Sequence, residues 1–165
     1  MDTNHNNNGN YFLFTDGSCK NNGKSYEAGW AFIIYDSNKK IVKQENGVIR
    51  GMDANNQKAE LTAILRGLRV FGMFTTISKL VIVTDSEYSI KCCTEWCKKW
   101  KDNNWKTSNG QDVKHRDIIE MIISKVESID CSWTHINSHT NNTDWFSQCN
   151  NEVDKLASSY YKINL

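Results

Sequence analysis

The run Leu80-Val81-Ile82-Val83, which stops at Thr84-Asp85-Ser86, constrains this chain more than any other segment. A short strand that is apolar at every position is buried on both faces, so the sheet that contains it needs a cover on each side. The preceding residues supply the rest of the sheet. Tyr11 to Thr15 is apolar and ends at Asp16-Gly17, and after a polar loop Gly29 to Tyr35 is apolar again, so the two read as hairpin strands. Ile41 to Ile49 alternates loosely and completes an antiparallel meander before a loop from Arg50 to Asn56. Glu60, Leu61, Ile64, Leu65, Leu68 and Phe71 then recur at helical spacing and predict a helix from about Gln57 to Phe74.

Past the apolar run, Ser86 is placed to cap a helix. Residues 87 to 101 have helical composition, and residues 102 to 113 form a polar loop with aromatic interruptions. A helix from about Arg116 to Val126, a strand from Cys131 to Ile136, an Asn/Thr-rich loop and a last helix from about Asn151 to Tyr161 complete the chain. This order predicts an α/β fold: a mixed five-stranded sheet, three antiparallel strands then parallel strands, with helices on both faces. A length of 165 residues suits one domain. Residues 1–10, MDTNHNNNGN, read as a disordered Asn-rich tail, and residues 11–165 as the folded domain.

The tail has neither a basic start nor an apolar stretch, so no secretory signal or transit peptide is expected. The protein is therefore expected to be intracellular, cytoplasmic or nuclear, with no membrane partner. The six cysteines are expected to be free thiols in a reducing compartment. Cys93 and Cys97 lie one helical turn apart but lack a second ligand pair, so buried thiols are expected there rather than zinc.

Three carboxylates fall where an apolar element begins or ends: Asp16 after the first strand, Glu60 early in the first long helix, and Asp85 after the buried fourth strand. A fourth, Asp154, is expected in the first turn or so of the last helix. Strand ends of an open sheet are where sites are built. An oxygen-only set of this kind suits Mg²⁺, which takes a few carboxylates, waters and substrate phosphate. Two such ions about 4 Å apart can support in-line phosphoryl displacement. Any one Asp at a strand end is more often a turn or cap residue; four in such settings are harder to explain that way.

The segments FTDGSC (14–19), NNQKAELTA (55–63), VTDSEY (83–88) and NNEVDKLA (150–157) resemble, in order, the four acidic motifs of the type 1 ribonuclease H family. The resemblance runs from about Tyr11 to Tyr161 and implies a ribonuclease H-like fold. It implies that Asp16, Glu60, Asp85 and Asp154 are catalytic acids holding two Mg²⁺ ions, with Mn²⁺ as a substitute. It matches the family's catalytic histidine to His139, which taken alone reads as an ordinary loop residue. The implied activity is hydrolysis of the RNA strand of RNA/DNA hybrids to 5′-phosphate and 3′-hydroxyl ends, by a monomer.

The resemblance also assigns contacts with the RNA strand to Asn22, Asn56 and Gln57, which alone read as turn chemistry. Residues 91–116 hold seven basic and three acidic side chains, a local charge of +4 against +1 for the whole chain, leaving −3 elsewhere. This is either a polyanion-binding patch or a solvated helix face. The resemblance favours the former, because TEWCKKWKDNNWKTSNG (94–110) looks like the family's basic protrusion, here about residues 94–113. Trp96 and Trp100 lie one turn apart, with Lys98, Lys99 and Lys101 as phosphate contacts and Trp105 packing inward.

Two features depart from the family. Fifteen positions separate His139 from Asp154, a longer path than usual. Members with a pocket for a DNA phosphate use an Arg, a Thr and an Asn where this chain has Asp53, Asn55 and His115. The alternatives to a hybrid-cutting enzyme are a non-catalytic hybrid-binding module of the same fold, and a different nuclease or strand-transferase of that fold.

Overall fold

The computed structural model describes residues 9–20, 26–74 and 78–162. Most of the Asn-rich tail, and Asn22, lie outside them. Three antiparallel strands, β1 (Tyr11–Ser18), β2 (Glu27–Tyr35) and β3 (Ile41–Arg50), precede the helix α1 (Asn56–Phe74) and the strand β4 (Leu80–Thr84). Helical segments α2 (Glu87–Lys91) and α3 (Cys97–Asp102), the helix α4 (Arg116–Glu127), the strand β5 (Cys131–His135) and the helix α5 (Trp145–Lys162) follow. The sheet order is β3-β2-β1-β4-β5, with β4 parallel to both β1 and β5.

The expected mixed sheet is therefore present, and alternation along its strands builds a core on each side. On one face Leu13, Trp30, Phe32, Ile34, Leu80 and Ile82 meet α1 and α4. On the other, Phe14, Ala31, Ile33, Tyr35 and Val83 meet Cys149, Val153 and Ala157 of α5. The apolar run Leu80 to Val83 is this alternation seen from both sides: Leu80 and Ile82 point one way and Val83 the other.

Three boundaries differ from the sequence reading, each for a local reason. β1 continues to Ser18, so Asp16 lies inside the strand, opposite Ala31, rather than after it. The segment 87–101 is not one regular helix, because Cys92–Trp96 forms a π-helical turn between α2 and α3. A π turn aligns residues five apart, so Cys92 and Cys97 are both buried, while Cys93, also expected to be a buried thiol, is half-buried. The last helix starts at Trp145, six residues before the expected Asn151, which makes Asp154 an interior residue. Asp144 starts it: its carboxylate accepts from Ser147 N–H at 3.2 Å and from Ser147 Oγ at 2.7 Å.

The early start also anchors α5. Trp145 makes edge-on contacts with Phe12, Phe14 and Tyr35, at centroid distances of 5.2, 5.5 and 5.3 Å. At the other end the helix lies so close to β2 that a Cβ on Gly29 would stand 2.0 Å from the Ala157 carbonyl oxygen. Gly29→Ala is therefore expected to lift α5 from the sheet and cost about 1–3 kcal/mol, the scale of overpacking a tight contact. Urea unfolding checks this through a lower midpoint at unchanged slope.

Candidate active site

β1 and β4 are parallel neighbours, so their C-terminal ends lie side by side, and the first turns of α1 come up against the same rim. Gly17 permits that approach. A Cβ at this position would lie 2.6 Å from the Glu60 backbone nitrogen and 2.9 Å from the Ala59 carbonyl carbon. Its N–H donates to Asp16 Oδ1 at 2.9 Å. The glycine thus brings the backbone of Glu60 against β1 beside Asp16, a role that the Asp-Gly pair hides behind its usual turn reading.

Asp16, Glu60 and Asp85 each offer a carboxylate oxygen within 4.8 Å of the other two. Asp16 and Glu60 are buried, at 2% and 3% exposure, while Asp85 is half-buried. Asp154, from the middle of α5, lines the same cavity of about 370 Å³, as do Asn56, His139, Ser86 and Ser138. The four acids point into one space. Of the expected substrate contacts among the described residues, Asn56 lines it; Gln57 is exposed and outside the lining. Ser86 and Ser138 were not anticipated there, although the Ser86 cap was, and its Oγ accepts from Ser89 N–H at 3.1 Å.

Like charges this close and this buried cannot all ionise. Burial first, then the charges of Glu60 and Asp85, holds the Asp16 carboxyl far above the usual carboxylate range. Burial and the charge of Asp85 push Glu60 up to about 8. Asp85 is also raised by burial, with a hydrogen bond to Asp16 first, and then His139 and His135, pulling the other way. Glu60 Oε2 is fully buried without a hydrogen-bond partner. An unpartnered carboxylate oxygen in an all-oxygen donor set fits a hard divalent cation such as Mg²⁺. Among the described residues no other group of three or more His, Cys, Asp or Glu is arranged to hold a metal ion.

His139 is exposed, with φ of 53° on the loop after β5. The protrusion forms a second surface. Trp96 and Trp100 are half-buried with ring centroids 6.0 Å apart, and Trp105, at 6% exposure, packs inward 5.9 Å from Trp100, as expected. Trp96, Trp100 and Lys99 line a cavity of about 440 Å³ with Asn103, Lys106 and Thr107. Lys98 and Lys101 are exposed but outside this lining, so of the three lysines Lys99 alone borders the cavity.

At the positions that depart from the family, Asp53 pairs with Lys58 at 2.5 Å and Asn55 Oδ1 accepts from Lys58 N–H at 2.8 Å. His115 precedes α4 with φ of 63°. An anion at this place would meet the Asp53 charge, and Lys58 is already engaged.

The charge cluster predicts how stability depends on pH. Asp16 and Glu60 titrate higher in the folded chain than in the unfolded one, so the folded state binds more protons. Without cations, the contribution of these two groups to stability is then fully present below the ordinary carboxylate range and is lost as pH rises toward and through about 8, where Glu60 ionises. Thermal unfolding between pH 5 and 9 (roughly) should show this decline, and millimolar Mg²⁺ should flatten it by replacing bound protons. Asp16→Asn should raise the metal-free stability at the alkaline end by on the order of 1 kcal/mol.

Comparison with known proteins agrees with this architecture. The family model described as RNase H matches residues 8–162. The chain is 31% identical over 146 residues to a Ribonuclease H of Hydrogenovibrio crunogenus, covering 88% of this chain and 91% of that protein. It is 33% identical over 147 residues to a Ribonuclease H of Wolbachia pipientis, covering 88% and 90%. Among solved structures, LC11-RNase H1 in complex with RNA/DNA hybrid superposes with a TM-score of 0.64 at 17% identity, covering 90% of this chain and 94% of that one. With matches of this extent, the chain belongs to the ribonuclease H family.

Proposed function

We propose that this protein hydrolyses the RNA strand of RNA/DNA hybrids with the help of two divalent cations, leaving 5′-phosphate and 3′-hydroxyl ends. The observation that carries this reading is the meeting of Asp16, Glu60 and Asp85 within 4.8 Å, with Asp154 on the same cavity. These four side chains would hold the cations, Mg²⁺ by preference with Mn²⁺ as a substitute. When bound, the cations neutralise charge on the phosphate and make water a stronger nucleophile at neutral pH.

The chain's own residues supply the rest. His139, on the exposed rim of the cavity, accepts or returns a proton at the scissile phosphate. Asn56, the first residue of α1, is placed to read the sugar edge of the RNA strand beside the acids. Gln57 and Asn22 extend that contact in this reading. Trp96, Trp100 and Lys99 form an aromatic and basic groove for the backbone of the hybrid away from the cut. Lys98 and Lys101 add charge at longer range. The engaged Lys58 beside Asp53 leaves a dedicated DNA-phosphate pocket out of this reading.

Incubation with a labelled RNA/DNA hybrid, with and without Mg²⁺, is the direct test. Cleavage of the RNA strand in the presence of Mg²⁺ is expected. A shifted but uncut hybrid would instead indicate a binding module, and cleavage of plain duplex DNA a different nuclease. Asp85→Asn should lower turnover by roughly a hundred-fold or more, since even outer partners of metal ligands cost ten- to a hundred-fold. Undiminished turnover in that variant would remove Asp85 from the mechanism. Lys99→Ala should reduce the slope of log affinity against log salt by about 1, and Lys98→Ala by less.

A further inference from the structure

Asp16 and Glu60 are immobilised by packing, but Asp85 is half-buried and has solvent within reach. In a cluster of like charges it is the member that repulsion can push outward. What restrains it is therefore a separate question from what brings the acids together.

The β4–β5 ladder pairs Thr84 with His135, and one bond beyond the pair runs from Ile136 N–H to the Thr84 carbonyl at 3.0 Å. The chain then leaves the sheet. Thr84 is held by β5, and its Oγ1 accepts from Ser86 N–H at 3.0 Å. Ser86 is held by capping α2. Between them, the ring Nε2 of His135 lies 3.2 Å from the Asp85 carbonyl oxygen. A carbonyl only accepts, so the bond requires the proton on Nε2, which both the neutral Nε2–H ring and the imidazolium provide. His135 lines the cavity on the other side of this turn, with Asn137, Thr140 and Asp144, and not the cavity of the four acids.

We propose that His135 is a positioning residue for Asp85: by holding the carbonyl of the same residue from a neighbouring strand, it fixes the direction in which the Asp85 carboxylate meets Asp16 and Glu60. This rests on the cation-binding reading of the site. His135 would touch neither cation nor substrate, so its effect falls on the ligand arrangement, whereas His139 faces the reacting side.

Calorimetric titration of Mn²⁺ into the full chain, without nucleic acid, tests this. Removing one exposed hydrogen bond in His135→Ala should weaken Mn²⁺ binding by roughly two- to ten-fold. His135→Gln, which keeps a side-chain N–H donor, should recover most of the affinity. The Mg²⁺ concentration giving half-maximal hydrolysis should rise in the Ala variant, while KM for the hybrid at saturating Mg²⁺ stays unchanged. Wild-type Mn²⁺ affinity in His135→Ala, or a Gln variant as weak as Ala, would overturn the proposal. A fall in kcat at saturating Mg²⁺ with unchanged metal affinity would overturn it too, in favour of direct proton transfer. Failure of the wild-type chain to bind Mn²⁺ at all would instead defeat the cation-binding reading on which it rests.

Discussion

The arrangement that the rest of the molecule serves is an unfavourable one: carboxylates forced together in a place with little water. Left alone, Asp16, Glu60 and Asp85 would repel one another and seek solvent, and burial adds to the cost of each charge. Only a scaffold that over-determines their backbone positions can hold them. Asp16 sits in a central strand bonded on both sides, by β2 and by β4. Glu60 is in the second turn of a 19-residue helix whose apolar face is sunk into the core. Asp154 is in the interior of α5, which is pinned at one end by Trp145 and at the other by its contact with Gly29. Asp85 alone lies in a turn, and it is the one that borrows a restraint from a neighbouring strand.

This distribution explains why the two cores matter to the chemistry. The helices that carry Glu60 and Asp154 lie on opposite faces of the sheet, so their acids can meet only past the ends of the strands. β4 ends there, at Thr84 opposite Thr15, while β1 runs on to Ser18 and carries Asp16 past that end. A fold with one covered face could not bring acids from both directions to one point.

The sheet, its order of elements and the identity of the acids were legible in the chain, because they follow from apolar periodicity and from motifs short enough to be read locally. The misreadings share a cause: in each, a tertiary contact outweighed a local signal. Trp145 and Phe146 lay within an Asn/Thr-rich segment and read as loop, yet their packing on Phe12 and Phe14 sets where α5 begins. The π turn at Cys92–Trp96 has no composition of its own and exists so that Cys92 and Cys97 both reach the interior. Gly17 looked like a turn residue because glycine after aspartate usually is one; only the approach of α1 shows otherwise. The lysines of the protrusion were legible as a patch but not as individuals, since which of them faces the tryptophans depends on that same π turn.

If the proposed function holds, the protrusion and the acidic cavity divide the work of recognition by physical range. A groove of Trp96, Trp100 and Lys99 has no means of distinguishing sugars, since ring stacking and a point charge are available to any nucleic-acid strand. Discrimination of RNA requires groups close enough to hydrogen-bond a 2′-hydroxyl, and in the proposed function Asn56, which lines the acidic cavity, takes that role. Affinity and selectivity are then separable by position. In the proposed function, the protrusion would set how tightly and how salt-sensitively a duplex is held, and the rim around the acids would decide whether the held strand is aligned for cutting. The local charge of +4 in residues 91–116, against −3 in the remainder, follows the same division, because a basic surface beside the acids would compete with cations for them.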